Sequence, residues 1–151
     1  MDKFDVLKSE AREDLAIVRL ENLDQESYKN QNIKPKWLEY KSRFELLKTQ
    51  SNIKYTKLYR EKWEYYGGKS DAKVYAAKPF DIKVLKNDLQ MYINADDDII
   101  ELQAKIAYYE VIIKYIDGII KSIEIVDGIY GTPKIGKNLR RGCYKWMLLI
   151  M

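Results

Sequence analysis

Between Tyr55 and Tyr66 the chain interleaves cations with flat rings: Tyr55, Lys57, Tyr59, Arg60, Lys62, Trp63, Tyr65 and Tyr66. Lys69 follows just beyond a Gly67-Gly68 pair. This mixture suits unpaired nucleic acid. Lys and Arg neutralise phosphates and release counterions. Tyr and Trp stack on bases, worth about 1–3 kcal/mol per base and tolerant of sequence. On a helix, Tyr55, Leu58 and Tyr65 continue an apolar stripe and belong to a core. Tyr59, Trp63 and Tyr66 stand at i, i+4 and i+7, to one side of that stripe. The candidate contacts are therefore Lys57, Tyr59, Arg60, Lys62, Trp63, Tyr66 and Lys69. Further back, Lys36, Arg43, Lys54 and Lys57 fall within about 60° of one another at ~100° per residue, a basic edge along the same stripe.

Other chemistries find less support. GTPKIGKN, Gly131 to Asn138, has the glycine and lysine spacing of a phosphate-binding loop. Asn138 replaces the hydroxyl that would hold magnesium. Only 13 residues follow, too few for the helix, strands and acidic ligand of a nucleotide site. Asp96-Asp97-Asp98 lacks the glycine of a calcium loop, and the chain has no histidine. These aspartates read as the start of a helix. Cys143 is the single cysteine and has no histidine to activate it. No catalytic set and no cofactor or metal site is expected.

Net charge is only +4, but it is segregated. Residues 1–33 carry 5 basic and 8 acidic side chains, and residues 34–86 carry 14 and 6. Residues 87–127 carry 3 basic and 9 acidic, and residues 128–151 carry 5 basic and no acidic. The basic segment creates a local field that the net charge hides. A lone cysteine fits a reducing compartment. No signal-peptide core stands near Met1, and the longest apolar run, Trp146 to Met151, is too short to span a bilayer. The expectation is a soluble, intracellular protein without membrane contact.

The elements that must position the cluster are helical. With 7 Gly and 3 Pro in 151 residues, long helices are expected. Residues 1–33 read as a short amphipathic helix bearing Phe4, Leu7, Leu15, Ile17, Val18 and Leu20, then a polar loop over Asp24 to Asn32. A basic aromatic helix follows over 35–66, opened by Pro35 and stopped by Gly67-Gly68. Its stripe is Trp37, Tyr40, Phe44, Leu47, Tyr55, Leu58 and Tyr65 or Tyr66. Residues 69–83 read as a connection. Residues 84–127 form a helical, isoleucine-rich seam, with a short piece over Leu85 to Ile93, an N-cap at Asp96 and a long helix to Val126. Ile99, Leu102, Ile106, Tyr109, Ile113, Ile116, Ile120 and Ile123 repeat in steps of three and four. Tyr108, Ile112, Tyr115, Ile119 and Val126 form a second line, so one partner helix would leave apolar surface bare. Isoleucine at both seam positions favours assemblies above the dimer. The expected fold is all-α: two long amphipathic helices plus short ones in one domain over 1–127, an elongated bundle completed by homo-oligomerisation through the seam. Residues 128–151 read as a divergent basic and apolar tail.

The run YREKWEYYGGKSDAKVYAAKPF, Tyr59 to Phe80, resembles the recombination mediators of T-even-type phages and their cyanophage relatives, the UvsY family. YINADDDIIELQAKIAYYEVIIKYIDGIIKSI, Tyr92 to Ile123, is similar to a second family segment. Two motifs in order and at matching spacing, over roughly residues 30–125, are more specific than either alone. The resemblance implies a non-enzymatic protein that binds single-stranded DNA as a ring-like oligomer. It also implies two protein partners, a phage recombinase and a phage single-strand binding protein, in the cytoplasm of an infected bacterium. The family's basic pair before the double tyrosine falls on Arg60 and Lys62. The C-terminus departs: GIYGTPKIGKNLRRGCYKWMLLIM replaces a helix that contributes to assembly in relatives. The competing reading is a structural bundle protein that binds partner proteins through its seam and leaves the basic helix solvated.

Overall fold

A computed structural model describes the backbone of residues 2–16 and 23–130, with side chains over 2–16 and 29–125. Among the described residues five helices follow one another: α1 (Lys3–Asp14), α2 (Leu23–Tyr66), α3 (Ala72–Ala77), α4 (Leu89–Asn94) and α5 (Asp97–Tyr130). No strand occurs among the described residues, so the all-α expectation holds.

α2 runs for 44 residues and starts a dozen residues before the proline expected to open it. Asp24 to Asn32, read as a loop, is helical. Pro35 inside a helix costs about 3 kcal/mol. Two residues on, Trp37 is fully buried. Burying a Trp side chain of some 150–250 Å² is worth about 4–6 kcal/mol at ~25 cal/mol per Å². Packing therefore outweighs the local penalty.

The described residues form two compact units, one from those up to Arg43 together with those from Ile112 onward, and the other Phe44–Val111. α2 and α5 each contribute to both. In the first unit, Leu7 and Ala11 of α1, Ile33 and Trp37 of α2, and Ile112, Ile116, Ile119, Ile120 and Ile123 of α5 are buried. Members of both apolar lines of α5 are thus covered inside one chain, where α1 supplies the extra cover that a single partner helix lacks; the Val126 side chain lies outside the described residues. Phe4 meets Tyr115 edge to face at 5.3 Å. The Trp37 indole N–H donates to Asp14 Oδ2 at 3.0 Å. Lys36 bridges Glu10 (3.3 Å) and Asp14 (2.8 Å), so this member of the expected basic edge is already paired. Lys34–Glu124 and Lys41–Asp117 show α2 and α5 antiparallel. Leu15 is exposed; Ile17, Val18 and Leu20 lie outside the described residues.

In the second unit, Leu89, Ile93 and Ile99 form the core, with Tyr55, Leu58, Tyr59, Tyr66 and Val84 packed on it. Phe44 meets Tyr109 at 6.2 Å, and Lys48 pairs with Glu110 at 2.9 Å. The connection after α2 contains the short helix α3, and the piece expected over 85–93 is the six-residue α4. α5 continues past Asp127 to Tyr130.

The seam assigned to homo-oligomerisation is largely consumed within the chain. Ile99, Ile116, Ile120 and Ile123 are buried, and Leu102, Ile106, Tyr109 and Ile113 are half-buried. A second chain would have to displace α4 and the end of α2 to reach Ile99, and the packing of the first unit to reach the other three.

Candidate nucleic-acid interface

The end of α2 is set by its glycines. The Lys69 N–H donates to the Glu64 carbonyl at 2.8 Å and the Gly68 N–H to the Tyr65 carbonyl at 3.3 Å. Together they form a Schellman stop, with Gly68 in the left-handed region at φ 73°. A Cβ on Gly67 would sit 2.7 Å from the Trp63 carbonyl oxygen. The turn sends the chain back over the helix, and Lys69 Nζ lands 4.3 Å from the centre of the Trp63 ring. That is cation–π distance.

Three of the seven candidates face outward from α2 in steps of three. Lys57 and Arg60 are exposed, the Arg60 side chain at 74%. Trp63 is 40% exposed. Arg60 Nε is 3.8 Å from Glu64 Oε1, a loose pair on one exposed face that holds little energy. With Lys69, which is also exposed, they make a ridge of three cations around one open indole.

The other three face inward, contrary to expectation. Lys62 is 9% exposed; its ammonium lies 2.8 Å from Asp96 Oδ1 and also bonds Asp98. The Tyr66 hydroxyl donates to Asp96 Oδ2 at 2.7 Å. The Tyr66 ring packs against Tyr65, Phe80 and Tyr92. Tyr59 is half-buried on the α4 core and its hydroxyl donates to Gln90. The reason is geometric. At ~100° per residue, Tyr59, Lys62 and Tyr66 share the side of α2 that carries Tyr55 and Leu58, and α4 and the start of α5 cover that side. Burial works against the Lys62 charge, but its bonds to Asp96 and Asp98 prevail and hold its pKa above the ordinary value. Burial also works against ionised Asp96, yet Lys62 and Tyr66 hold its carboxyl below the usual range. Burial, then the bond to Asp96, push the Tyr66 phenol up. Asp96 also accepts from the Asp98 N–H at 3.1 Å, so the expected N-cap is at once the counter-ion of Lys62.

Sequence reasoning missed what pins the connection after the glycines. Tyr75 of α3 stacks on Tyr65, with centroids 5.5 Å apart and planes at 19°. Its hydroxyl donates to the Tyr65 carbonyl at 2.7 Å. The Tyr65 hydroxyl donates to the Lys78 carbonyl at 3.1 Å, and Phe80 closes the aromatic cluster. The aromatic spacing in VYAAKPF was the available signal. A cavity of about 440 Å³ beside this connection is lined by Lys62, Lys69 and Lys78 but also by Glu61, Asp71 and Asp98. Its mixed charge gives no preference for an anion. Among the described residues no helix is long and apolar enough to cross a membrane.

The class that fold and surface define is an all-α protein carrying a cationic, tryptophan-centred ridge on one long helix. The family described as "Recombination, repair and ssDNA binding protein UvsY" matches residues 10–127, and the chain belongs to it. It is similar in fold to crystal structures of the bacteriophage T4 recombination mediator protein UvsY. One crystal form gives a TM-score of 0.76 at 16% identity, covering 96% of this chain and 98% of that one. A second gives 0.74 at 17% identity, covering 92% and 98%. No curated protein sequence matches the chain.

Proposed function

We propose that the chain is a single-stranded DNA-binding recombination mediator that helps load a phage recombinase onto DNA coated by single-strand binding protein. The observation that carries this reading is the outward ridge of Lys57, Arg60, Trp63 and Lys69 on a rigidly stopped helix. The family's printed description supports it. In this reading Lys57, Arg60 and Lys69 neutralise phosphates. Trp63 stacks a base on the ring face opposite Lys69. Lys62, Tyr66 and Tyr59 act indirectly, by fixing the end of α2 against α4 and α5. Copies of the chain in an oligomer would present several ridges to one strand. Weak contacts then add by effective concentration, and the strand is held extended for a recombinase to grip. The protein acts by binding, with no chemical step of its own.

The test is a titration with mixed-sequence single strands at several salt concentrations. Affinity should fall steeply as salt rises from ~50 mM. No binding at that low salt rejects the reading and leaves the structural bundle protein. Burial of Ile99, Ile116, Ile120 and Ile123 of the seam within one chain speaks against that alternative.

A further inference from the structure

The cavity beside the end of α2 lies wholly within the second unit and adjoins the ridge, since Lys69 belongs to both. Its volume of about 440 Å³ falls among those of small-molecule sites, roughly 300–1,000 Å³. Leu58, Tyr65 and Val74 give it apolar walls, and four carboxylates and three ammonium groups give it polar ones. Lys62 and Asp98 are committed to each other, and Glu64 lies in loose contact with Arg60. Glu61 and Asp71 take part in no ion pair among the described residues, and Asp71 opens α3 without a side-chain bond to its backbone. Lys78 has no carboxylate partner either.

A phosphate would meet more acid than base there. An uncharged flat group with donors and acceptors around its rim would find both kinds of partner between apolar walls. We infer that the cavity takes one unstacked base of the bound single strand and favours a base with an exocyclic amine. This rests on the DNA-binding reading. Bases splayed from a single strand are read in this way, by packing on their faces and hydrogen bonds to their edges. The amine donates to Glu61 or Asp71, and Lys78 donates to a ring nitrogen or carbonyl of the same base. Cytosine meets both needs, because its N4 amine donates to a carboxylate while N3 and O2 accept. Thymine carries the O4 carbonyl where cytosine carries that amine, and so turns a lone pair toward the carboxylates. The ridge holds the strand by charge and stacking without regard to sequence; the cavity adds a preference at one nucleotide.

The test compares strands of cytosine alone and thymine alone, about eight nucleotides long, by anisotropy of labelled strands near neutral pH. The readout is the ratio of the two affinities, which cancels any change in charge felt equally by both strands. Glu61→Ala/Asp71→Ala should lower the cytosine-to-thymine ratio about five-fold, the low end of discrimination by one base contact. Val74→Trp, which fills the cavity from an exposed position, should lower it by a similar factor with the helical circular dichroism signal retained. Lys57→Ala/Arg60→Ala should weaken both strands and leave the ratio at its wild-type value. A ratio that Glu61→Ala/Asp71→Ala or the folded Val74→Trp leaves unchanged overturns the inference, while the DNA-binding reading stands. A wild type that binds neither strand at low salt overturns both.

Discussion

Lys62 and Asp96 form a nearly buried ion pair, 2.8 Å apart, that ties the end of α2 to the first residue before α5. It stands among the residues that sequence alone nominates for DNA, yet one member is turned away from solvent. Arg60 and Lys62 are therefore a basic pair in sequence but not in space.

Their separate substitution should expose the difference. Lys62→Ala leaves the Asp96 carboxylate buried without its cation and should cost about 3 kcal/mol in chemical denaturation. Arg60→Ala removes an exposed side chain and should change stability by no more than about 0.5 kcal/mol. Equal stability losses in the two variants would contradict the geometry.

For DNA the order reverses. Arg60→Ala combined with Lys57→Ala should weaken single-strand binding. It should also flatten the dependence of log K on log salt by about 0.7 for each phosphate that is no longer neutralised. Fluorescence titrations across a salt series measure both. An unchanged slope would remove these two cations from the interface.

Trp63→Ala should lower affinity by roughly 5- to 150-fold, the equivalent of about 1–3 kcal/mol for one stacked base. Trp63→Phe should recover most of that. Substituting Tyr66, whose ring belongs to the core of its unit, should instead lower the unfolding midpoint. Binding that responds to Tyr66→Phe as strongly as to Trp63→Ala would contradict this division.

The pair also predicts a pH profile. The Asp96 carboxyl is held below its ordinary value. Its stability contribution is present above the unfolded-state value of about 4 and is lost as pH falls through the lower folded one. Lys62 and Tyr66 are held above theirs. Their contribution is full below pH of about 10 and is lost as pH rises through the folded values. Stability should form a plateau between these limits, with an acidic edge that shrinks in Asp96→Asn. Denaturant midpoints from about pH 3 to about 11, which reach the onset of both losses, test it.

Gly68→Ala should cost about 1–2 kcal/mol, because φ of 73° is strained for any side chain. Since the same turn carries Lys69 over Trp63, the variant should also alter the Trp63 emission.

The sequence by itself determined the helices and their ends where local signals are strong. The unbroken three–four repeat from Ile99 to Ile123, the stop at Gly67-Gly68 and the cap at Asp96 all follow from backbone geometry within a few residues. The spacing of Tyr55, Leu58 and Tyr65 likewise marked a core stripe. Tertiary structure decided which side of α2 is covered beyond that stripe, and this divides the candidate contacts. Tyr59, Lys62 and Tyr66 turn inward because α4 and α5 return onto their side; Lys57, Arg60 and Trp63 stay outside because no other described helix returns onto theirs. Helical periodicity fixes which residues share a face, but only the returning chain selects the face that loses its water. The same reason places Pro35 within a helix, held there by a buried Trp37, and leaves Ile100 and Val111 bare beside a seam that the chain fills for itself.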